Sequence, residues 1–168
     1  LLISMEDGHN SPAYVYKSST IPPSGDIPQT TTMGSNTAYH NLFYLNESLF
    51  MFCRRGIDFE KLIIFKSADD GATWGTESNI AVLESNDWCY PSEVAVSGDS
   101  VAYIFLSNRD DGAGKNFREI YCLKTVNGQN FSSLDGGLSK DITGSPWSLS
   151  ELKQYAYVDS VSSTSSLV

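Results

Sequence analysis

An internal repeat constrains this chain more than any other feature of its sequence. Gly71 and Gly128 lie 57 positions apart (128 − 71), and the same interval separates Trp74 from Phe131 (131 − 74). Each unit has the order strand, tight turn, strand, longer loop, strand, glycine turn, aromatic residue and strand. Four short strands that recur at a fixed period of this size are typical of a blade in a β-propeller.

Short apolar runs separated by turn residues predict the individual strands. The candidates are 42–45, 49–53, 61–66 and 80–83 in the first unit, and 93–96, 101–106 and 119–124 in the second. Long runs with helical periodicity are nearly absent. We therefore predict an all-β fold that contains about two to three four-stranded propeller blades.

The repeat also predicts how the chain is divided. We expect one partial propeller domain over 1–168, with repeat units at roughly 37–84 and 90–142. Residues 1–36 are then the end of a preceding blade, and 143–168 are the start of a following blade or a loose tail. Two units cannot close a ring, which needs at least about four blades. The opening Leu1-Leu2-Ile3-Ser4 is typical of a strand interior, so we expect a fragment of a longer propeller.

The charge balance excludes two classes of partner. The chain has 20 acidic and 11 basic residues, a net charge of −9 and a pI near 4.5. Proteins that bind nucleic acids or anionic membranes in general need a basic face, so neither partner is expected. No apolar run approaches the ~18 residues of a membrane span. An anionic substrate is still allowed, because a few arginines in a cleft can outweigh the global charge locally.

Residues 67–74, Ser-Ala-Asp-Asp-Gly-Ala-Thr-Trp, match the pattern Ser-x-Asp-x-Gly-x-Thr-Trp, the Asp-box of sialidase-type propellers. Gly71 can supply the positive φ of a tight turn, and the aspartate and hydroxyl oxygens can accept hydrogen bonds from turn amides. Trp74 is expected to pack back onto the blade. We assign structural roles to Ser67, Asp69, Gly71, Thr73 and Trp74, because this box belongs to the outer rim. Residues 124–131 resemble a degenerate copy in which Val126 replaces the aspartate.

The cysteines and carboxylates give no strong metal signal. Cys53, Cys89 and Cys122 form no C-x-x-C pair and have no histidine at ligand spacing, so buried thiols in strands are expected. Asp110 and Asp111 are acidic neighbours in one loop that could hold a structural calcium ion, although solvated charge is the favoured interpretation. We therefore predict no metal and no cofactor.

The histidines and a nearby tyrosine are candidates for proton transfer. His9 lies in a polar, turn-rich run, where it is either a loop residue bonded to backbone or a general acid or base. Tyr39 and His40 begin a strand, and alternation would place them on opposite faces, so only one can point into a common site. A structural role is the default for His40.

The arginines and the aromatic run 87–91 are candidates for binding. Arg54 and Arg55 end an apolar strand, where one can be a solvated rim residue and the other can present its donors to a carboxylate. Arg109 and Arg118 flank a loop and are expected to be solvated charges. Trp88 and Tyr90 can stack on a sugar ring, and core packing explains them equally well.

Several of these elements together resemble a known family. The runs are His9-Asn10-Ser11-Pro12 with Tyr16-Lys17-Ser18, Tyr39-His40-Asn41-Leu42, Phe52-Cys53-Arg54-Arg55-Gly56 and the Asp-box. They are similar to the BNR-repeat proteins of the ulvan-lyase type over roughly residues 4–145. That family includes seven-bladed propeller polysaccharide lyases and many members of unknown activity.

The resemblance implies β-elimination at a uronic acid. In such lyases, histidine and tyrosine move protons at the sugar ring, and an arginine neutralises the uronate carboxylate. His9 matches the family's histidine and Tyr39 its tyrosine, while Arg54 or Arg55 matches its arginine, with Arg54 preferred. Asn10, His40, Trp88 and Tyr90 are then expected to bind substrate. His40 departs from the family pattern, because it stands where a proline is common.

Three functions remain open on the sequence alone. The preferred hypothesis is a polysaccharide lyase that acts on an acidic, uronate-containing polymer, secreted or periplasmic because such a polymer cannot enter cells. The first alternative is a sialidase-like glycoside hydrolase, although the arginine triad of sialidases cannot be assembled here without forcing. The second alternative is a non-catalytic glycan-binding propeller.

Overall fold

The fold of the chain is described by a computed structural model. The structure describes residues 2–6, 12–18, 29–34, 36–55, 60–84, 87–110 and 117–160. These residues form three sheets in which consecutive strands pair antiparallel. The predicted all-β class is confirmed.

The first sheet has three strands in the order β1-β2-β3. Their bounds are Leu2–Glu6 for β1, Ala13–Lys17 for β2 and Gln29–Met33 for β3. The second sheet has five strands in the order β13-β7-β6-β5-β4. These bounds are Thr37–Leu45 for β4, Ser48–Arg55 for β5, Lys61–Ser67 for β6, Ser78–Val82 for β7 and Trp147–Ser148 for β13.

The third sheet has six strands, with β12-β11-β10-β9-β8 in order and β14 beside β10. The bounds are Asp87–Ser97 for β8, Val101–Asp110 for β9, Phe117–Thr125 for β10, Asn130–Ser132 for β11, Ser139–Asp141 for β12 and Tyr157–Ser160 for β14. Two strands from the last part of the chain, β13 and β14, therefore join different sheets.

Local signals fix the main hairpins. Asn46 and Glu47 both have positive φ, of 48° and 59°, and join β4 to β5 through the two-residue turn that suits a twisted hairpin. A turn between the predicted strands 42–45 and 49–53 is thereby confirmed. Pro91 lies within β8, an edge strand, where a missing backbone donor costs least.

A short helical segment follows β13. The helix α1, Leu149–Glu151, begins with a capping box, in which the Ser148 side chain accepts from the Glu151 amide and the Glu151 carboxylate accepts from the Ser148 amide. A π-helical turn over Leu152–Ala156 leads into β14. Leu149, Leu152 and Ala156 are buried in the core beside the third sheet.

The five-stranded sheet lies between the other two. One face packs on the three-stranded sheet through a cluster that includes Val15, Met51 and Ile63. The opposite face packs on the six-stranded sheet through a larger cluster that includes Phe52 and Ile104. The edge strands β1, β4 and β8 contact one another in that order, as do the innermost strands of successive propeller blades.

Candidate functional site

A β-bulge exposes Tyr39 near the start of β4. Ala38 pairs with Arg54 and Asn41 with Phe52, so two residues of β4 lie opposite one residue of β5. Tyr39 takes a left-handed conformation with φ of 60°, which costs a non-glycine residue about 1–2 kcal/mol. Bulges and such conformations concentrate at functional sites.

The bulge also changes the expectation for the neighbouring histidine. Simple alternation cannot be applied to Tyr39 and His40, because the bulge interrupts the period of two. The Nε2 atom of His40 lies 2.9 Å from Oγ1 of Thr37, three residues earlier on the same strand. Tyr39 instead packs against groups of the next sheet.

Arg54 lies in this contact between sheets. It follows Phe50 and Phe52 on the face of β5 that points toward the six-stranded sheet, and only 2 % of the residue is exposed. Its Cζ atom lies 4.8 Å from the ring centroid of Tyr39 and 4.6 Å from that of Tyr90. The centroid of Trp88 is 5.7 Å away. These distances are within the range of cation–π attraction.

Trp88 and Tyr90 come from β8 and complete an aromatic surface with Tyr39. The Tyr39 and Tyr90 centroids are 5.4 Å apart at an interplanar angle of 57°, and those of Trp88 and Tyr90 are 6.4 Å apart. Both predicted sugar-stacking residues are partly exposed, whereas Cys89 between them is buried in the core.

Arg109 joins this group, contrary to expectation. It was predicted to be a solvated loop charge, but it lies in β9 opposite Trp88 in the strand register. Its Cζ atom is 5.2 Å from the Trp88 centroid, and Nη1 donates to the Tyr90 hydroxyl at 3.2 Å. If β8 and β9 paired without interruption from the hairpin at 97–100, position 110 would lie opposite Trp88, one residue from Arg109. The sequence therefore allows the prediction that Arg109 lies close to Trp88.

We call these five residues the arginine–aromatic cluster: Tyr39, Arg54, Trp88, Tyr90 and Arg109. Both guanidinium carbons lie near the same Trp88 centroid, so they are within about 11 Å of each other, the sum of the two distances. At an effective dielectric constant of about 20, like charges at that separation repel by on the order of 1 kcal/mol. The cluster therefore places two guanidinium groups beside three aromatic rings.

Asp87, Cys89 and Asn108 adjoin the cluster in sequence, and Asp87 is the acidic residue among them. Asp87, on the same strand as Trp88, accepts a hydrogen bond from Nδ2 of buried Asn108 at 3.3 Å. Burial raises the pKa of the Cys89 thiol to about 12, although the positive charge of Arg54 acts in the opposite direction. Cys89 therefore stays protonated at neutral pH and is not a nucleophile.

The remaining candidates are distributed as follows. Arg55 forms an ion pair with Glu77, a residue that the sequence interpretation did not consider. The arginine–aromatic cluster therefore contains Arg54 and not Arg55. His9 and Asn10 lie outside the described residues, as does Asp111, and the side chain of Asp110 is not described either.

The turn at 67–74 lies at the other end of its sheet. Ser67 pairs with Leu49, whereas Arg54 pairs with Leu62, so about 17 Å of strand separates the turn from Arg54. Oγ of Ser67 accepts from the Gly71 amide at 2.8 Å, and Asp69 accepts from the amide and hydroxyl of Thr73 at 2.8 and 2.6 Å. The Asp69 carboxylate therefore binds donors of its own turn.

The turn at 125–130 corrects one sequence assignment. The expectation placed Val126 where the aspartate should be, because the two glycines were aligned without a gap. In the structure Thr125 accepts from the Gly128 amide at 2.9 Å, and Asn127 accepts from the amides of Gln129 and Asn130. The spacing between hydroxyl and glycine is one residue shorter, so Asn127 performs the aspartate's role.

The described part of the chain contains neither a cluster of metal ligands nor a helix that could cross a membrane. No three histidine, cysteine, aspartate or glutamate side chains there lie together as metal ligands would. The helices within the same residues are too short or too polar to cross a bilayer. The three cysteines are buried as free thiols, as expected.

Comparison with known proteins identifies the fold. Two solved structures of an ulvan lyase from a new family of polysaccharide lyase, PL25, match with a TM-score of 0.72 and 10% sequence identity. One of them is bound to -[GlcA(1-4)Rha3S]-. Each match covers 93% of this chain and 39% of the lyase, so the chain spans well under half of their length. No family model and no curated protein sequence matches the chain.

Proposed function

We propose that this chain is part of a polysaccharide lyase that cleaves a uronate-containing polymer by β-elimination. The observation that carries the proposal is the arginine–aromatic cluster, which gathers two guanidinium groups in a chain of net charge −9. The cluster occurs in a fold shared with ulvan lyases, one of which is bound to a glucuronate-containing ligand. Polysaccharide lyase chemistry agrees with both facts.

The reaction divides naturally among the candidate residues. A base removes the proton at C5 of the uronate, the electron pair forms a C4–C5 double bond, and the C4–O bond breaks with protonation of the leaving oxygen. Negative charge develops on the carboxylate side of the ring, and the positive charge of Arg54 stabilises it. Tyr39, whose residue is 37% exposed and whose ring lies beside Arg54, is the proposed proton-transfer group.

The other candidates complete this assignment. His9 is the second proposed proton-transfer group, and Asn10 and His40 are proposed to contact substrate. Trp88 and Tyr90 provide ring faces on which a sugar can stack. The reaction as assigned requires no cofactor.

We further propose that the chain is a BNR-repeat propeller whose Asp-boxes are structural. The hydrogen bonds of Asp69 and of Asn127 within their turns support this, because both side chains are used to hold backbone amides. The complete protein would contain more blades than this chain, consistent with the 39% coverage of the lyases. An extracellular or periplasmic location follows from a polymeric substrate.

The experiment is an absorbance assay on the polymer of the bound lyase, -[GlcA(1-4)Rha3S]-. The product of β-elimination has a double bond conjugated with its carboxylate and absorbs in the ultraviolet, whereas a hydrolysis product does not. We expect the complete protein to produce this absorbance and Arg54→Gln to lower kcat/KM by about 10²-fold or more, the cost of losing one charge-stabilising group.

Controls separate the role of Arg54 from effects on folding. Lys153→Gln removes one positive charge from a partly exposed side chain 3.6 Å from Glu119 and should retain activity. Arg54→Lys restores a charge and should fall between wild type and Arg54→Gln. A larger loss in Arg55→Gln than in Arg54→Gln would assign the role to Arg55. Polymer binding without any product would favour the non-catalytic alternative. Fragments with new reducing ends but saturated non-reducing ends, and hence no ultraviolet absorbance, would favour the hydrolase.

A further inference from the structure

We propose that Arg109 forms a second anion subsite, which binds an acidic group of the polymer other than the carboxylate whose charge Arg54 stabilises. The inference rests on the proposed function in one respect, that the ligand is an acidic polysaccharide. It assigns a substrate-contact role to a residue that the sequence interpretation took for a solvated loop charge.

The two arginines reach the cluster from different sheets. Arg54 ends β5 of the five-stranded sheet, and Arg109 lies near the end of β9 of the six-stranded sheet. Arg54 is 2% exposed beneath the aromatic rings, whereas Arg109 is only partly buried. A polymer that lies on the rings can therefore reach Arg109 without displacing Tyr39 from Arg54.

The surroundings of Arg109 orient its donors. Its guanidinium lies over the Trp88 ring and donates to the Tyr90 hydroxyl, so two aromatic residues hold the group in one position. A guanidinium presents its N–H donors in its own plane, in a fork that fits the paired oxygens of a carboxylate or a sulfate. A fixed fork loses less entropy on binding than a flexible lysine.

The spacing of the two charges indicates the ligand. Their separation of at most about 11 Å is that of acidic groups on one sugar or on neighbouring sugars. A polymer with acidic groups at that spacing can place one of them near each arginine. The proposed ligand is thus a polymer with two closely spaced acidic groups, the second a sulfate ester or another carboxylate.

Binding measurements test the subsite apart from catalysis. Isothermal titration of the Tyr39→Phe chain, which should not consume its ligand, uses fragments of -[GlcA(1-4)Rha3S]- and the same fragments after desulfation. We expect Arg109→Gln to weaken binding of the sulfated fragments about tenfold, the cost of one charge-assisted hydrogen-bonded contact. Binding of desulfated fragments should change less than about twofold in that variant.

Each other outcome has a defined meaning. An equal loss on both fragments supports the subsite and identifies its ligand as a carboxylate. If Arg109→Gln behaves like the matched control Lys153→Gln on both fragments, the proposal is wrong. Arg109→Lys, which retains the charge and the aliphatic stem, should weaken binding to an intermediate degree, and it decides the question if Arg109→Gln does not fold.

The same titration distinguishes this proposal from the proposed function. Binding that depends on Arg109, together with no ultraviolet product from the complete wild-type protein, would overturn the lyase reaction and leave the subsite intact. Failure of the Tyr39→Phe chain to bind either fragment would overturn the subsite.

Discussion

At the scale of single residues, Asp69 shows how a surface turn acquires pH sensitivity. Its carboxylate accepts hydrogen bonds from the Thr73 hydroxyl and amide and from the Ser67 hydroxyl, and these hold its pKa at about 2. A folded-state pKa below the unfolded value contributes stability that is fully present above the unfolded pKa. That contribution is lost as the pH falls from about 4 toward 2.

We therefore predict that Asp69→Asn reduces the acid sensitivity of the fold. The variant should be less stable than wild type at pH 7, and the difference should shrink at pH 3 because the wild-type carboxylate is then losing its advantage. The thermal unfolding midpoint, followed by circular dichroism at both pH values, measures this. The control is Val126→Ala, which changes no charge at an exposed residue and should keep the wild-type dependence on pH.

Some acid sensitivity should remain in Asp69→Asn. Hydrogen bonds from the Ser133 hydroxyl and the Gly137 amide lower the pKa of Asp135, and bonds from the Thr143 hydroxyl and amide lower that of Asp141. A wild-type dependence on pH in the Asp69 variant would mean that its turn does not contribute.

At the scale of elements, the glycine turn between β10 and β11 holds the two larger sheets together. Gly128 has φ of 71°, and a Cβ atom there would lie 2.1 Å from Cε1 of Phe50, a buried residue of β5. The position needs glycine for two independent reasons, its backbone conformation and the closeness of the neighbouring ring.

Gly128→Ala should destabilise the protein by about 2–4 kcal/mol, the combined cost of a left-handed alanine and an overpacked contact. The matched control is Gly136→Ala, at φ of 80° with nothing within 4 Å of its Cβ, which should cost only about 1–2 kcal/mol. Urea unfolding of the two variants measures the difference. Equal losses would show that the contact with Phe50 relaxes freely.

Elements with strong local signals could be predicted from the sequence, and elements defined by long-range pairing could not. The turn at 46–48 and the capping box at Ser148 depend on residues close in sequence. The predicted strand 93–96 proved to be part of β8, Asp87–Ser97, because a bulge between Pro91 and Val94 lets the strand continue past the proline. The pairing of β13 with β7 involves only two residues of β13, so it leaves no recognisable alternation of apolar and polar residues in the sequence.

The residues of the candidate site could likewise be predicted only in part. Tyr39, Arg54, Trp88 and Tyr90 were selected by residue type and by the family resemblance, and the structure brings them together. Arg54 joins the cluster and Arg55 does not, because Arg54 lies against the rings of Tyr39 and Tyr90 whereas Arg55 pairs with Glu77, and these contacts depend on residues far apart in sequence. Arg109 was missed because the expected strand ended at 106, before the arginine.

At the scale of the whole molecule, the five-stranded sheet forms the centre of the core. Its two faces contribute to two separate hydrophobic clusters, one shared with each neighbouring sheet. Phe52 is fully buried in the larger cluster and lies edge-on to Phe43, with ring centroids 6.2 Å apart. Removing this ring therefore affects the contact between the sheets rather than one strand.

Phe52→Ala should lower the free energy of unfolding by about 3–5 kcal/mol. Because the cluster is shared, far-ultraviolet and near-ultraviolet signals should still change together in one transition. Val126→Ala, at a residue 53% exposed, should change stability by less than about 0.5 kcal/mol. Two separate transitions in wild type would show that the sheets unfold independently.

The parallel pairing of β13 with β7 has a consequence for synthesis of the chain. Trp147 lies beside Ala81, and Ser148 beside Val82, although more than 60 residues separate them in sequence. The edge of β7 thus acquires its last neighbour only after nearly all of the six-stranded sheet has left the ribosome. During synthesis, the first, second and third sheets can therefore form in that order, except that β13 joins the second sheet late.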